Sequence, residues 1–127
     1  MGSAGSAKSY FITQKLIVRA CREKIKILVC RRYASTIRHT CFALFKEILS
    51  KWQLYPSYVK IRETDFNIKF PNGSEIIFTG LDEETKLLSL AGIGVIFIEE
   101  VFEVEKSKVE QLNLRLRGST PNQQIIM

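Results

Sequence analysis

At 127 residues, 46% apolar content and a formal net charge of +6, the chain is one domain's worth of polypeptide, able to bury a modest core. No run approaches the ~20 apolar residues of a membrane span, and the N-terminus carries no signal-peptide apolar region. The single histidine, His39, excludes a histidine-rich metal site and a paired-histidine mechanism. Cys21, Cys30 and Cys41 are odd in number and match no CxxC spacing, which predicts reduced, buried thiols of a cytosolic protein.

In chain order, Gly2-Ser3-Ala4-Gly5-Ser6-Ala7-Lys8-Ser9 reads as a phosphate-binding loop of the pattern Gly, four residues, Gly-Lys-Ser/Thr. Ala7 stands where the second Gly is expected. Backbone N–H groups of such a small-residue loop wrap a polyphosphate, Lys8 reaches the β/γ-phosphates and the Ser9 hydroxyl ligates Mg²⁺. A small-residue turn before an amphipathic helix would give the same letters. From Ser9 to about Arg22, Phe11, Ile12, Leu16, Ile17 and Val18 form the broad apolar face of a buried helix.

Ile25-Lys26-Ile27-Leu28-Val29-Cys30 is a short β-branched run that predicts a buried strand, ending in Arg31-Arg32. Ser35 or Thr36 is placed to cap a second helix running to about Trp52, with Ile37, Cys41, Leu44, Phe45 and Ile48 on one stripe. Tyr55-Pro56-Ser57 requires that helix to have ended. Phe66 to Phe70 alternates strictly, Glu75 to Thr79 is β-rich, and Pro71-Asn72-Gly73-Ser74 between them predicts a β-hairpin. A polar stretch from Gly80 to Ser89 leads through Ala91-Gly92 to a last apolar strand, Gly94 to Ile98.

That strand ends abruptly in Glu99-Glu100. A buried strand closing in paired carboxylates is the Walker B pattern of P-loop ATPases, usually Asp then Glu. The first carboxylate holds Mg²⁺ beside the phosphate loop, and the second orients and deprotonates the attacking water. Glu99 is assigned to the metal and Glu100 to the base; one extra methylene at Glu99 is tolerated by a water-mediated contact. The bland alternative is a strand that emerges into solvent with two charges. Two imperfect motifs in the right order, separated by a length that fits two βα elements, favour nucleotide binding.

In combination, these segments resemble the ATPase domain of the large terminase subunit of tailed bacteriophages, of the PBSX-like kind. They are G-S-A-G-S-A-K-S-Y-F, the V-C-R-R strand with its T-I-R helix, F-T-G-L-D-E-E-T-K-L, A-G-I-G-V-I-F-I-E-E and Q-L-N-L-R-L-R-G. The resemblance runs from end to end of the chain. It implies an α/β P-loop NTPase fold: a mostly parallel sheet flanked by helices, with a β-hairpin insertion. It also implies that residues 1–127 are a partial ATPase domain, with the first core strand and adenine-binding segment upstream and a nuclease domain elsewhere. The implied activity is Mg-ATP hydrolysis driving viral DNA packaging in the host bacterial cytoplasm. Implied partners are double-stranded DNA, the terminase small subunit and the portal protein, with a homo-oligomeric ring on the portal. Many family members carry an Arg inside the loop, whereas Ala4 and its neighbours are small.

Arg115 and Arg117 alternate with Leu114 and Leu116, so on a strand they share a face. They serve either as arginine fingers on the γ-phosphate or as ordinary surface cations. Arg31 and Arg32, at the end of a core strand, either meet phosphate or DNA or pair with Glu63 or Asp65. Residues 1–70 hold 14 Lys/Arg against 4 Asp/Glu, while residues 71–127 hold 5 against 9. Lys24, Lys26, Arg31, Arg32, Arg38, Lys46 and Lys51 thus supply the charge that a phosphate-tracking surface needs. Tyr33, Trp52, Tyr55 and Tyr58 among them read mostly as packing residues. Two other readings compete: a non-catalytic degenerate or truncated P-loop fragment, and another DNA-dependent P-loop ATPase such as a helicase or partition-type protein.

Overall fold

A strand with no polar face must be covered on both sides, and Ile27, Leu28, Val29 and Cys30 are such a run. The computed structural model describes residues 3–99 and 124–126, and places these four, fully buried, in β1 (Lys26–Arg31). β1 pairs in parallel with β4 (Glu75–Gly80) on one side and β5 (Val95–Ile98) on the other. β6 (Gln124–Ile126) extends the sheet in parallel beyond β5. Beyond β4, β3 (Asn67–Lys69) and β2 (Lys60–Arg62) run antiparallel, giving the order β2-β3-β4-β1-β5-β6.

Because strand side chains alternate, β1 feeds two cores. Ile27 and Val29, with Ile76, Phe78, Val95 and Phe97, pack against α1 (Ser3–Arg22) and α2 (Cys41–Lys51) through Leu16, Ile17, Phe45 and Ile48. Leu28 and Cys30, with Ile77, Ile96 and Ile98, meet Leu81, Ile93 and Leu87 of the short α3 (Glu84–Leu88). Phe42 and Phe45 of α2 set their rings edge-on to Phe78 at 5.0 and 5.1 Å. Such pairs contribute about 0.5–1.5 kcal/mol each beyond area burial.

The predicted hairpin forms, with Ile68 opposite Ile76 and Asn67 opposite Ile77. Its turn also closes α1. Gly73 adopts the positive φ of +98° that the turn requires, and Asn72 Nδ2 donates to the Ala20 carbonyl at 2.8 Å. Ser74 Oγ accepts from Ile25 N at 3.0 Å and lies 2.8 and 2.7 Å from the carbonyl oxygens of Ala20 and Glu23. The Ala20 carbonyl in the last turn of the helix and the Glu23 carbonyl just beyond it thereby find partners that the helix itself cannot supply.

Two helix starts differ from expectation. α1 begins at Ser3 rather than near Ser9, so Ser3 to Lys8 have helical backbone. Ala4, Ala7 and Lys8 are strong helix formers, and extending a helix already nucleated downstream is far cheaper than starting one. α2 begins at Cys41 rather than after Ser35 or Thr36, because Ala34–Thr36 forms a short 3₁₀ turn. The Thr36 hydroxyl is engaged there, donating to the Tyr33 carbonyl at 2.8 Å and accepting from Arg31 Nε at 3.0 Å. The sequence reading also passed over β2 and α3.

Candidate nucleotide site at the carboxyl edge of the sheet

The register aligns the carboxyl ends of the three central strands: Arg31 lies opposite Gly80, and Cys30 opposite both Thr79 and Ile98. In open α/β sheets this edge is where ligands bind. Gly80 is required for its closeness. A Cβ there would stand 2.2 Å from the Ala34 backbone nitrogen, whose N–H donates to Asp82 Oδ1 at 3.0 Å. Glu83 Oε1 accepts from Thr79 Oγ1 at 3.0 Å and from Gly80 N at 3.1 Å, and Leu81 N donates to the Arg31 carbonyl at 2.8 Å. The Gly80-Leu81-Asp82-Glu83 segment thus ties the end of β4 to the chain leaving β1.

Glu99 follows β5 directly, its N–H donating to the Cys30 carbonyl at 3.0 Å. Ser9, from the second turn of α1, donates its hydroxyl to Glu99 Oε1 at 3.1 Å across 90 residues of sequence. Thr13 Oγ1 donates to the Ser9 carbonyl at 2.7 Å, an i to i−4 bond from a fully buried threonine that steadies this turn. The other oxygen, Glu99 Oε2, lies 3.4 Å from Arg31 NH1 and is buried without a hydrogen-bond partner among the described residues. Side-chain exposure at the pair is 11% for Arg31 and 16% for Glu99.

A buried carboxylate oxygen with no hydrogen-bond partner among the described residues, beside a hydroxyl bonded to its twin, is a donor set suited to a hard divalent cation such as Mg²⁺. The two residues predicted as metal ligands therefore meet, and the oxygens they present fit. The Glu99 charge reaches further. Burial first, then Glu99, pushes the Cys41 thiol up to about 12, despite the opposing Thr40 hydrogen bond and Arg31 charge. All three cysteines are free thiols; Cys30 and Cys41 are buried as the sequence predicted, whereas Cys21 is only half-buried.

Lys8 is exposed beside Ser9 on α1. Gly2, Glu100, Arg115 and Arg117 lie outside the described residues. Of the two alternatives for Arg31 and Arg32, pairing with Glu63 or Asp65 is not what the structure describes: Glu63 pairs with Lys46, Asp65 pairs with Arg62, and Arg31 turns inward to Glu99. Arg32 is exposed, its guanidinium 5.2 Å from the centre of the Tyr33 ring. Others of the predicted basic set make local contacts: Arg38 over Phe66, Lys51 over Tyr10, and Lys26 Nζ on the Ala91 carbonyl at 3.2 Å. Tyr33, Trp52, Tyr55 and Tyr58, expected mostly to pack, are 37–48% exposed. An open groove of about 970 Å³ runs along α1 from Phe11 to Glu23 and reaches Trp52, but neither Ser9 nor Glu99 lines it.

Thr13 and Thr36 are the residues that sequence reasoning missed. The spacing of Thr13 four residues after Ser9 was a usable signal; for Thr36 the contact depends on the 3₁₀ turn, which no local pattern announced.

A family model described as "Phage terminase large subunit" matches residues 1–127. The chain is 36% identical over 117 residues to the PBSX phage terminase large subunit of Bacillus subtilis (strain 168), covering 92% of this chain and 27% of that protein. Its fold resembles the large terminase ATPase domain of Thermus phage P74-26, with TM-score 0.60, 14% identity, and coverage of 99% and 55% of the two chains. It also resembles a large terminase from a thermophilic bacteriophage in complex with ADP, with TM-score 0.57, 18% identity, and coverage of 82% and 25%. The chain thus spans less than a third of the length of the PBSX protein.

Proposed function

Because the chain belongs to the phage terminase large subunit family, we propose that it is ATPase-motor sequence of such a subunit, hydrolysing Mg-ATP to drive viral DNA into a prohead. The observation that carries this reading is the bond between Ser9 and Glu99, which joins the two halves of a split nucleotide motif at the carboxyl edge of the sheet. In this proposal Ser9 and Glu99 hold Mg²⁺, whose charge, when bound, offsets that of the phosphates. Lys8 and the backbone of Gly2 to Ser9 hold the β- and γ-phosphates, which requires α1 to open ahead of Ser9 while the Ser9 turn stays in place. Terminal helical turns open at low cost, since their first N–H groups have no partner within the helix. Glu100 accepts the proton of the attacking water, and Arg115 or Arg117 faces the γ-phosphate.

The wider assignment rests on family membership: double-stranded DNA as the translocated substrate, with the small subunit and portal as partners of a ring in the host cytoplasm. A non-catalytic reading has one observation in its favour, the helical backbone of Ser3 to Lys8 with Ala7 at the glycine position. DNA-stimulated ATP turnover by the complete protein separates the two. Turnover that falls by about 10²-fold or more in Glu100→Gln supports the motor and the base assignment. Absence of turnover in the unaltered protein supports the non-catalytic reading.

A further inference from the structure

Arg31 is almost fully buried at the end of β1, yet among the described residues it pairs with the carboxylate assigned above to the metal. We propose, resting on that nucleotide-site reading, that Arg31 is a positioning residue which makes the site take its divalent cation only together with the nucleotide's phosphates. Among the described contacts of the guanidinium, two fix its place. Nε donates to Thr36 Oγ1 at 3.0 Å, and that hydroxyl is itself fixed on the Tyr33 carbonyl; NH1 then stands 3.4 Å from Glu99 Oε2. A separation of 3.4 Å is longer than the roughly 2.7–2.9 Å of a charge-assisted hydrogen bond, so the contact orients Glu99 without consuming its lone pairs.

The electrostatic consequence follows from the charges. Arginine stays protonated throughout the working pH range, so Arg31 and Glu99 together present no net negative charge to a bare cation. Both side chains are largely withdrawn from water, where screening is weak. Among the described residues, a divalent ion arriving alone therefore meets the Glu99 carboxylate with the Arg31 charge beside it. One arriving on a polyphosphate brings its own anionic ligands, and then needs only Ser9 and Glu99 to complete its shell. The Ser9 bond to Oε1 and the Arg31 contact at Oε2 hold the carboxylate in one orientation for that arrival.

Mn²⁺ binding to the complete protein, followed by water-proton relaxation, tests this because protein-bound Mn²⁺ is distinguished from Mn²⁺ on free nucleotide. The unaltered protein is expected to bind Mn²⁺ with a non-hydrolysable ATP analogue and far more weakly without it. Arg31→Gln should bind Mn²⁺ alone at least about tenfold more tightly than the unaltered protein, because a like charge a few ångströms away has been removed. That gain should vanish when Glu99→Gln is added. Arg31→Lys keeps the charge and should keep the dependence on nucleotide, which gives a second reading if the Gln variant folds poorly. Equal nucleotide-free affinity in Arg31→Gln and the unaltered protein, with the ternary complex intact, overturns the role of Arg31 and leaves the nucleotide site standing. A tenfold gain in Arg31→Lys also overturns it. No ternary complex in the unaltered protein overturns the site assignment and, with it, this proposal.

Discussion

Glu99 is where the chemistry of the site concentrates, one oxygen accepting from Ser9 and the other facing Arg31. Removing Arg31 would leave a mostly buried carboxylate without its counter-charge, so Arg31→Met should destabilise the fold as well as alter metal binding. Uncompensated buried charges of this kind cost about 3–5 kcal/mol, and the partial exposure of the pair places the loss at the lower end, measurable by urea unfolding. The thiols make a separate prediction. With its titration pushed up to about 12 by burial and by Glu99, Cys41 holds almost no thiolate at neutral pH. Cys30, fully buried, is raised as well, whereas Cys21 is only half-buried. Reaction of the folded protein with a thiol-specific reagent at pH 8 should therefore modify Cys21 first, with Cys30 and Cys41 labelled only on unfolding. The same shifts carry a stability sign. The folded values lie above the ordinary thiol value of 9.0, so their contribution is intact below pH 9 and declines as pH rises past it, when the unfolded chain ionises. Rapid modification of Cys41 in the native state would contradict its placement.

At the scale of elements, two tight junctions hold the site's supports in place. One is the hairpin turn between β3 and β4, where Ser74 serves the Ala20 carbonyl of α1, the Glu23 carbonyl after it and the Ile25 amide. Ser74→Ala should destabilise by about 1–3 kcal/mol, since it strands buried groups that lose their partner. The other is the crossing of Gly80 with the chain after β1. Gly80→Ala pushes a methyl into the Ala34 nitrogen and the Asp82 carboxylate, and should cost about 1–3 kcal/mol or more. It should also lower any ATP turnover by shifting the ends of β1 and β4. A Gly80→Ala protein with unchanged unfolding midpoint would show that this crossing has slack. The hairpin was legible because Asn72-Gly73 between alternating apolar runs is a local signal. The start of α2 was not, because Thr36 is diverted by Arg31, a contact that exists only once β1 and the 3₁₀ turn are assembled.

For the whole molecule, what could be read in advance followed from how local each signal was. Ile27 to Cys30 and Val95 to Ile98 are unbroken apolar runs, and both became parallel strands covered on each face. The meeting of Ser9 with Glu99 was anticipated from two motifs, and the topology supplies the reason: β1 and β5 are neighbours, while α1 packs across them. The inward turn of Arg31 was missed, since charge alone left phosphate or DNA and a pairing with Glu63 or Asp65 equally open, and only the sheet register brings Glu99 nearer. The helical backbone of Ser3 to Lys8 was missed because a glycine-bearing motif was read as loop where alanines and lysine support a helix. The central claim is that Ser9 and Glu99 act as one unit in nucleotide turnover. A double-mutant cycle on DNA-stimulated ATPase activity, with Ser9→Ala, Glu99→Gln and the pair in the complete protein, tests it most directly. We expect each single change to lower turnover by about 10²-fold or more and the double change to add little beyond either. Effects that multiply independently, or a Glu99→Gln protein with unchanged turnover, would contradict it.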